Sequence, residues 1–372
     1  MKDKLKQELQ LIYDSKAQSQ NGKRITYLDM ARGIVIFLVV FGHSEFVGPA
    51  CNVWLSSFHL PTFFLLSGIL MHMKEEDRRP VSGILLHKIK GIMLPYLWFS
   101  LGSVWIDFLQ VLRGNFTWSI LQEHVLQTVF LQGYSVLWFL PVVFFAELLL
   151  LLLYKASRRF ACREAYCIVG VSFVITCCSV GAYYGYQRLI RSAVPILLLH
   201  TLRIFAKAMI AAAFMSYGYI FGYIFSGKAF SFCKWRIFPA GIVLFLLNIF
   251  AVPYIQLMDF NQLGLQNLLV YLGLGITGGI GCILICMSLP NIPIITFFGQ
   301  NSLIIMCTHL NFYVLHAGMV LCRFLAGGLP ESGRMLYAIC SLTCAMILSI
   351  PVILIIRICF PFVLGRRYQR KS

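Results

Sequence analysis

The amino-acid sequence predicts an all-α polytopic membrane protein, a bundle of about ten transmembrane helices with both termini cytoplasmic. Three observations carry that prediction. Of the 372 residues, 59% are hydrophobic and only 12% charged, at a mean hydropathy of +0.80, well outside the range of water-soluble domains. Apolar stretches long enough to cross roughly 30 Å of hydrocarbon as helices recur along the whole chain. The basic residues, finally, sort by side as membrane topology requires.

The spans are expected at 27–48, 52–71, 92–112, 135–154, 166–184, 204–225, 237–255, 267–289, 294–318 and 336–360. No polar segment between them exceeds about 20 residues, too little for a folded soluble domain. A single membrane domain is therefore expected over 25–363, between an N-terminal cytoplasmic tail (1–24) and a basic cytoplasmic tail (364–372). More than 20 polar residues precede the first span and no small-x-small cleavage site follows it, so that span is expected to be retained. In the tail, Leu5, Leu9 and Ile12 recur at helical spacing beside Lys2, Lys4 and Lys6. That pattern fits an amphipathic helix on an anionic leaflet or a solvated tail equally well.

The net charge of +17 would suit nucleic acid if it were concentrated on one surface, but it is distributed by side. With the N-terminus inside, 24 of the 31 Lys and Arg fall in cytoplasmic segments and 6 in outer ones, and Lys207 lies within the sixth span. Nucleic acid is thus not an expected partner. The segment 185–203 is out of step, since Arg188, Arg191 and Arg203 fall on the outer side. The thirteen cysteines lie mostly within spans without a CxxC, and Cys282/Cys286 and Cys340/Cys344 stand one helical turn apart. Small residues packing helix on helix explain them better than a disulfide framework or a metal site.

The segment LDMARGIVIFLVVFGHS (28–44) places Arg32 and His43 in an otherwise apolar helix. Eleven positions at about 100° each make roughly three turns, so the two share one face about 16 Å apart. Such groups must face a bundle interior or a wet cavity, and their default reading is functional. An imidazole, with an ordinary pKa of about 6.5, suits a general base; a helix-packing histidine is the plainer alternative. Glu147, near mid-bilayer in FFAELLLLLLYK, is placed to pair with Arg32 or to orient His43. Asn301, Ser302 and His309 lie about two turns apart on one helix side and could line the same cavity. His59 and Trp138 sit near the outer ends of their spans, where Trp serves as an interfacial anchor or a sugar-stacking ring. Lys88 and Lys90 before the third span suit phosphates, although positive-inside anchoring explains the neighbouring Lys74, Arg78 and Arg79 equally well. Asp107, His124 and His200 form no informative pattern.

Asp29, Arg32, Gly33 and His43, written D-x-x-R-G-x9-H, resemble the N-terminal signature of the acyltransferase-3 family, membrane enzymes that O-acylate sugars and related acceptors. The ten residues between Arg32 and His43 match the family's R/K-x10-H spacing. The resemblance continues in family order through FHLPTFFLLSG (58–68), LPYLW (94–98), LWFLP (137–141) and FGQNSLIIMCTH (298–309). It departs at HKIKGIMLPY, where Gly91 stands at one of two usually basic positions and Lys88 and Lys90 replace arginines. Lysine supplies a point charge without the bidentate fork.

The resemblance implies transfer of an acyl group, acetyl from acetyl-CoA foremost, to a hydroxyl of a sugar or cell-envelope glycan, free or lipid-linked. It implies His43 as general base, Arg32 and Glu147 beside it, and Lys88, Lys90 and Arg32 on the phosphates of CoA. Trp138, Asn301, Ser302, His309 and His59 would then serve the acceptor, with no metal, in a multi-pass protein of a bacterial plasma or inner membrane. The alternative is a secondary transporter of a glycan or lipid precursor, with Arg32, Glu147 and His43 as substrate or proton site. LGLGITGGIGC (272–282) would then be a broken helix, but no internal repeat supports that reading.

Overall fold

In the first predicted span the helix stops one residue before the histidine: α1 runs Thr26–Gly42 in the computed structural model. The structure describes residues 25–159, 163–192, 194–226, 234–326 and 334–365. The expected amphipathic tail over 3–20 and the basic tail from 366 onward lie outside the described residues.

After α1 come α2 (Pro49–Met73), α3 (Val81–Lys88), a π-helical turn (Ile89–Met93) and α4 (Leu94–Leu112). Then follow α5 (Trp118–Val129), α6 (Phe139–Ser157), α7 (Glu164–Leu189), α8 (Ile196–Ser226) and α9 (Lys234–Phe250). The chain continues with α10 (Leu268–Ser288), α11 (Pro293–Gln300), α12 (Ser302–Thr308), α13 (Val314–Ala326) and α14 (Arg334–Cys359). Described residues form no β-strand, as the all-α prediction requires. Eight helical segments among them are long and apolar enough to cross a membrane.

The two expected spans outside that set are 27–48 and 294–318. α1 has 17 residues; His43 closes it with φ −89° and ψ 0°, and Pro49 restarts the chain at the first position of α2, where its fixed φ favours initiation. The ninth predicted span is broken at Asn301, with φ −111° and ψ 12°, and again at Tyr313, with φ 56°. Irregular backbone at membrane depth persists only where protein or a wet cavity surrounds it. A second departure is α5, which lies between the third and fourth expected spans. Thr117 caps it, its hydroxyl accepting from the Ile120 amide at 3.5 Å, as Ser and Thr do at helix starts.

The two broken pieces lie at the centre of the bundle, where α1 meets α11 backbone to backbone. A Cβ at Gly33 would overlap the carbonyl oxygen of Ile295, and one at Gly299 would overlap that of Asp29. Glycine at both positions permits the approach, as small residues do at membrane helix crossings. Large apolar side chains cover the periphery instead: Phe173 on α7 and Val243 and Leu247 on α9 are more than half exposed, a lipid-facing pattern. The interior is aromatic, with Phe64, Phe214, Phe260 and Tyr271 all buried.

Candidate active site

His43, at the end of α1, opens onto a cavity of about 350 Å³ whose wall also holds His59, Trp138, Asp259 and Asn261. Its ring lies 5.3 Å from that of His309, centroid to centroid. His309 Nδ1 is 2.9 Å from the carbonyl of Ile305 and 3.0 Å from that of Met306. A carbonyl only accepts, so Nδ1 carries the proton and Nε2 is the bare acceptor. That Nε2 is buried without a hydrogen-bond partner among the described residues. His59 Nδ1 likewise donates to the carbonyl of Leu55 one turn earlier, leaving its Nε2 as the acceptor.

The opposite wall comes from the segment between α9 and α10, which folds inward instead of staying in solvent. An isolated bridge joins Asp259 to Gly264, Leu263 takes φ 55°, and Phe260 and Leu263 are buried. Tyr183 and Gln187 of α7 hold it by donating to the carbonyls of Leu265 and Leu263 at 2.6 and 2.7 Å. Asn261 accepts from Lys207 Nζ at 2.7 Å, and the same ammonium lies 4.7 Å from the Trp138 ring centroid, a cation–π contact. Asp259, Asn261 and Lys207 escaped the sequence reading. The available signals were a cation inside the sixth span and apolar residues alternating through 257–265 of a nominal outer loop.

A second cavity, about 290 Å³, holds Arg32, Glu147, Gln300 and Ser302. Arg32 Nη1 is 3.6 Å from the Asp29 carboxylate one turn earlier. The glycine crossing of α1 and α11 brings Gln300 alongside, and its Nε2 donates to Asp29 Oδ2 at 3.3 Å. Asn301 is a joint rather than a wall: its Nδ2 donates to the carbonyl of Phe297 at 2.8 Å, and its Oδ1 accepts from Arg357 at 3.4 Å. Sequence reasoning grouped Asn301, Ser302 and His309 in one cavity. The break at Asn301 separates them, with Ser302 at the Arg32 cavity and His309 behind His43.

Two further expectations are corrected. Glu147 shares a cavity with Arg32, but its hydrogen-bonding partner is Lys88, whose Nζ donates to Oε2 at 2.9 Å. Lys88 also lies 2.7 Å from Glu76 Oε2 and is 7% exposed. An ammonium enclosed by two carboxylates is already neutralised and does not offer itself to a phosphate, so Lys88 joins helices rather than meeting a donor. A π-helical turn, Ile89–Met93, follows Lys88. Lys90, on that turn, is exposed and free to meet an anion. Asp107 and His124 form a separate buried pair, Nδ1 to Oδ2 at 2.7 Å, away from both cavities.

Helical stripes connect the two cavities. Along α12, Ser302 and Leu303 face the Arg32 cavity and Met306 reaches both. At the start of α6, Leu140 and Val143 face the Arg32 cavity and Phe139 reaches both, while Trp138, just before the helix, faces the His43 cavity.

A membrane bundle in which an imidazole at the end of a helix and a guanidinium three turns earlier on it face two adjoining cavities defines a class of integral membrane enzyme. The acyltransferase domain model matches residues 25–357, and the chain belongs to the acyltransferase-3 family. It is therefore a membrane acyltransferase, of the kind that transfers groups other than aminoacyl groups. Comparison with curated proteins and with solved structures gives no match.

Proposed function

We propose that this acyltransferase moves an acetyl group from acetyl-CoA to a hydroxyl of a sugar or cell-envelope glycan, with His43 as general base. The observation that carries the reading is the pair of cavities that share Phe139 and Met306 in their linings, one holding Arg32 and the other His43. Arg32 steers the donor from the side rich in basic residues, with Gln300 and Ser302 beside it and Lys90 outside for a CoA phosphate. Trp138, His59, Asn261 and Asp259 offer the acceptor a ring face and hydrogen-bonding groups.

His43 removes the proton from the acceptor hydroxyl as its oxygen attacks the thioester carbonyl. The new C–O bond forms, the C–S bond breaks, and the proton passes from His43 to the departing CoA sulfur. Because Arg32 and His43 are about 16 Å apart along α1, the pantetheine arm spans the bundle while CoA stays on the Arg32 side. The acceptor enters from the other side. The bacterial plasma or inner membrane is the setting this chemistry fits.

Sealed vesicles of known orientation test it. Acetyl-CoA supplied only on the side of Arg32 is expected to label an acceptor confined to the side of His43. A requirement for both substrates on one side overturns the through-bundle route, and purified protein that neither cleaves acetyl-CoA nor transfers its acetyl group overturns the reaction.

A further inference from the structure

Phe139 and Met306 are the two residues, among those described, that line both cavities. Their surroundings differ. The Phe139 ring stacks on Phe64 with centroids 5.3 Å apart and meets the edge of Phe63 at 5.8 Å, so neighbouring rings fix its position. Met306 is 4% exposed in α12, where its carbonyl accepts from His309. Its own side chain is unbranched, with three rotatable bonds, and can change rotamer within a packed site. Of the two shared residues, one is thus held in place and the other adjustable.

Resting on the transfer reaction proposed above, we infer that Phe139 and Met306 set the cross-section of the acyl group that the enzyme accepts. A thioester arriving from the Arg32 cavity presents its acyl group first, because CoA trails behind on the pantetheine arm. The acyl group must pass between the Phe139 ring and the Met306 thioether before its carbonyl reaches His43. A flat acetyl group is no wider than the unbranched cysteamine and β-alanine part of the arm that follows it, whereas a carbon branched next to the carbonyl is wider and meets the fixed ring. The pair selects against branching at that carbon more strongly than against length.

The test compares acetyl-CoA with isobutyryl-CoA in hydrolysis by the purified protein, where water takes the acceptor's place and yields the free acid and CoA thiol, followed by chromatography. Wild type is expected to prefer acetyl-CoA in kcat/KM by roughly tenfold or more, the scale on which an apolar pocket discriminates small groups. Met306→Ala and, separately, Phe139→Leu should each raise the isobutyryl-to-acetyl ratio by roughly tenfold. Wild type that cleaves both donors equally well overturns the inference without any variant. So does an unchanged ratio in whichever variant folds. Wild type that neither cleaves either donor nor passes its acyl group to an added sugar acceptor sinks the transfer reaction itself, and the inference with it, so the two failures are told apart.

Discussion

The imidazoles of His43 and His309 are tilted by 42° with centroids 5.3 Å apart, and His309 has its proton committed to backbone carbonyls on Nδ1. The His309 Nε2 lone pair has no donor among the described residues, so a turn of the His43 ring that brought one of its nitrogens there would meet an acceptor. That favours the His43 tautomer with its proton on that side and its lone pair toward the cavity, the form a general base needs. Replacing His43 with Ala should lower acyl transfer by roughly 10² to 10⁴, with expression and insertion near wild type. Wild-type turnover in that variant would remove His43 from the mechanism.

His309→Leu tests the orientation. We expect a drop in kcat of roughly tenfold or more with the Michaelis constant for acetyl-CoA little changed, and partial recovery in His309→Gln, whose amide can both donate to the Ile305 carbonyl and accept from His43. A purely structural role would show as equal losses of folded protein in both variants and no rescue.

Lys88 and Lys90 should part company. Removing the Lys88 ammonium leaves Glu76 and Glu147 facing each other in a buried site, and breaking a buried pair costs about 3–5 kcal/mol. Lys88→Met is expected to lower the unfolding midpoint of the detergent-solubilised protein markedly. Lys90→Gln, at an exposed position, should leave the midpoint alone and raise the apparent Michaelis constant for acetyl-CoA. Reversed results would return Lys88 to the phosphate.

The sequence carries the spans well, because twenty apolar residues in a row have few other uses, and Arg32 and His43 stand out in it as polar groups on an apolar helix. The contact that decides Lys88 joins residues 59 apart in sequence. No local pattern distinguishes a lysine that will meet Glu147 from one that anchors the chain at the membrane surface. Asp259 and Asn261 were illegible for a related reason: a segment between helices reads as solvent-facing until the buried Phe260 and Leu263 pull it inward. The separation of His309 from Ser302 depends on the break at Asn301, which regular helical periodicity does not anticipate.

The glycine crossing offers a stability prediction. Gly299→Ala or Gly33→Ala pushes a methyl group into a carbonyl oxygen of the facing helix, and overpacking of this kind typically costs about 1–3 kcal/mol. Both should reduce folded yield and turnover together. Gly83, on α3, faces open space, and Gly83→Ala should be neutral or slightly stabilising; thermal unfolding of the three variants checks the contrast.

Seventeen residues at about 1.5 Å each make α1 roughly 25 Å long, against about 30 Å of hydrocarbon. With Thr26 level with one edge of the hydrocarbon, His43 would stand in a well roughly 5 Å below the other edge. A hydroxyl on a projecting sugar can descend that far, while one flush with a broad, stiff polymer face cannot. The depth belongs jointly to the protein and its lipids: longer host acyl chains deepen the well without touching a single residue, and turnover on a bulky acceptor should fall as they lengthen.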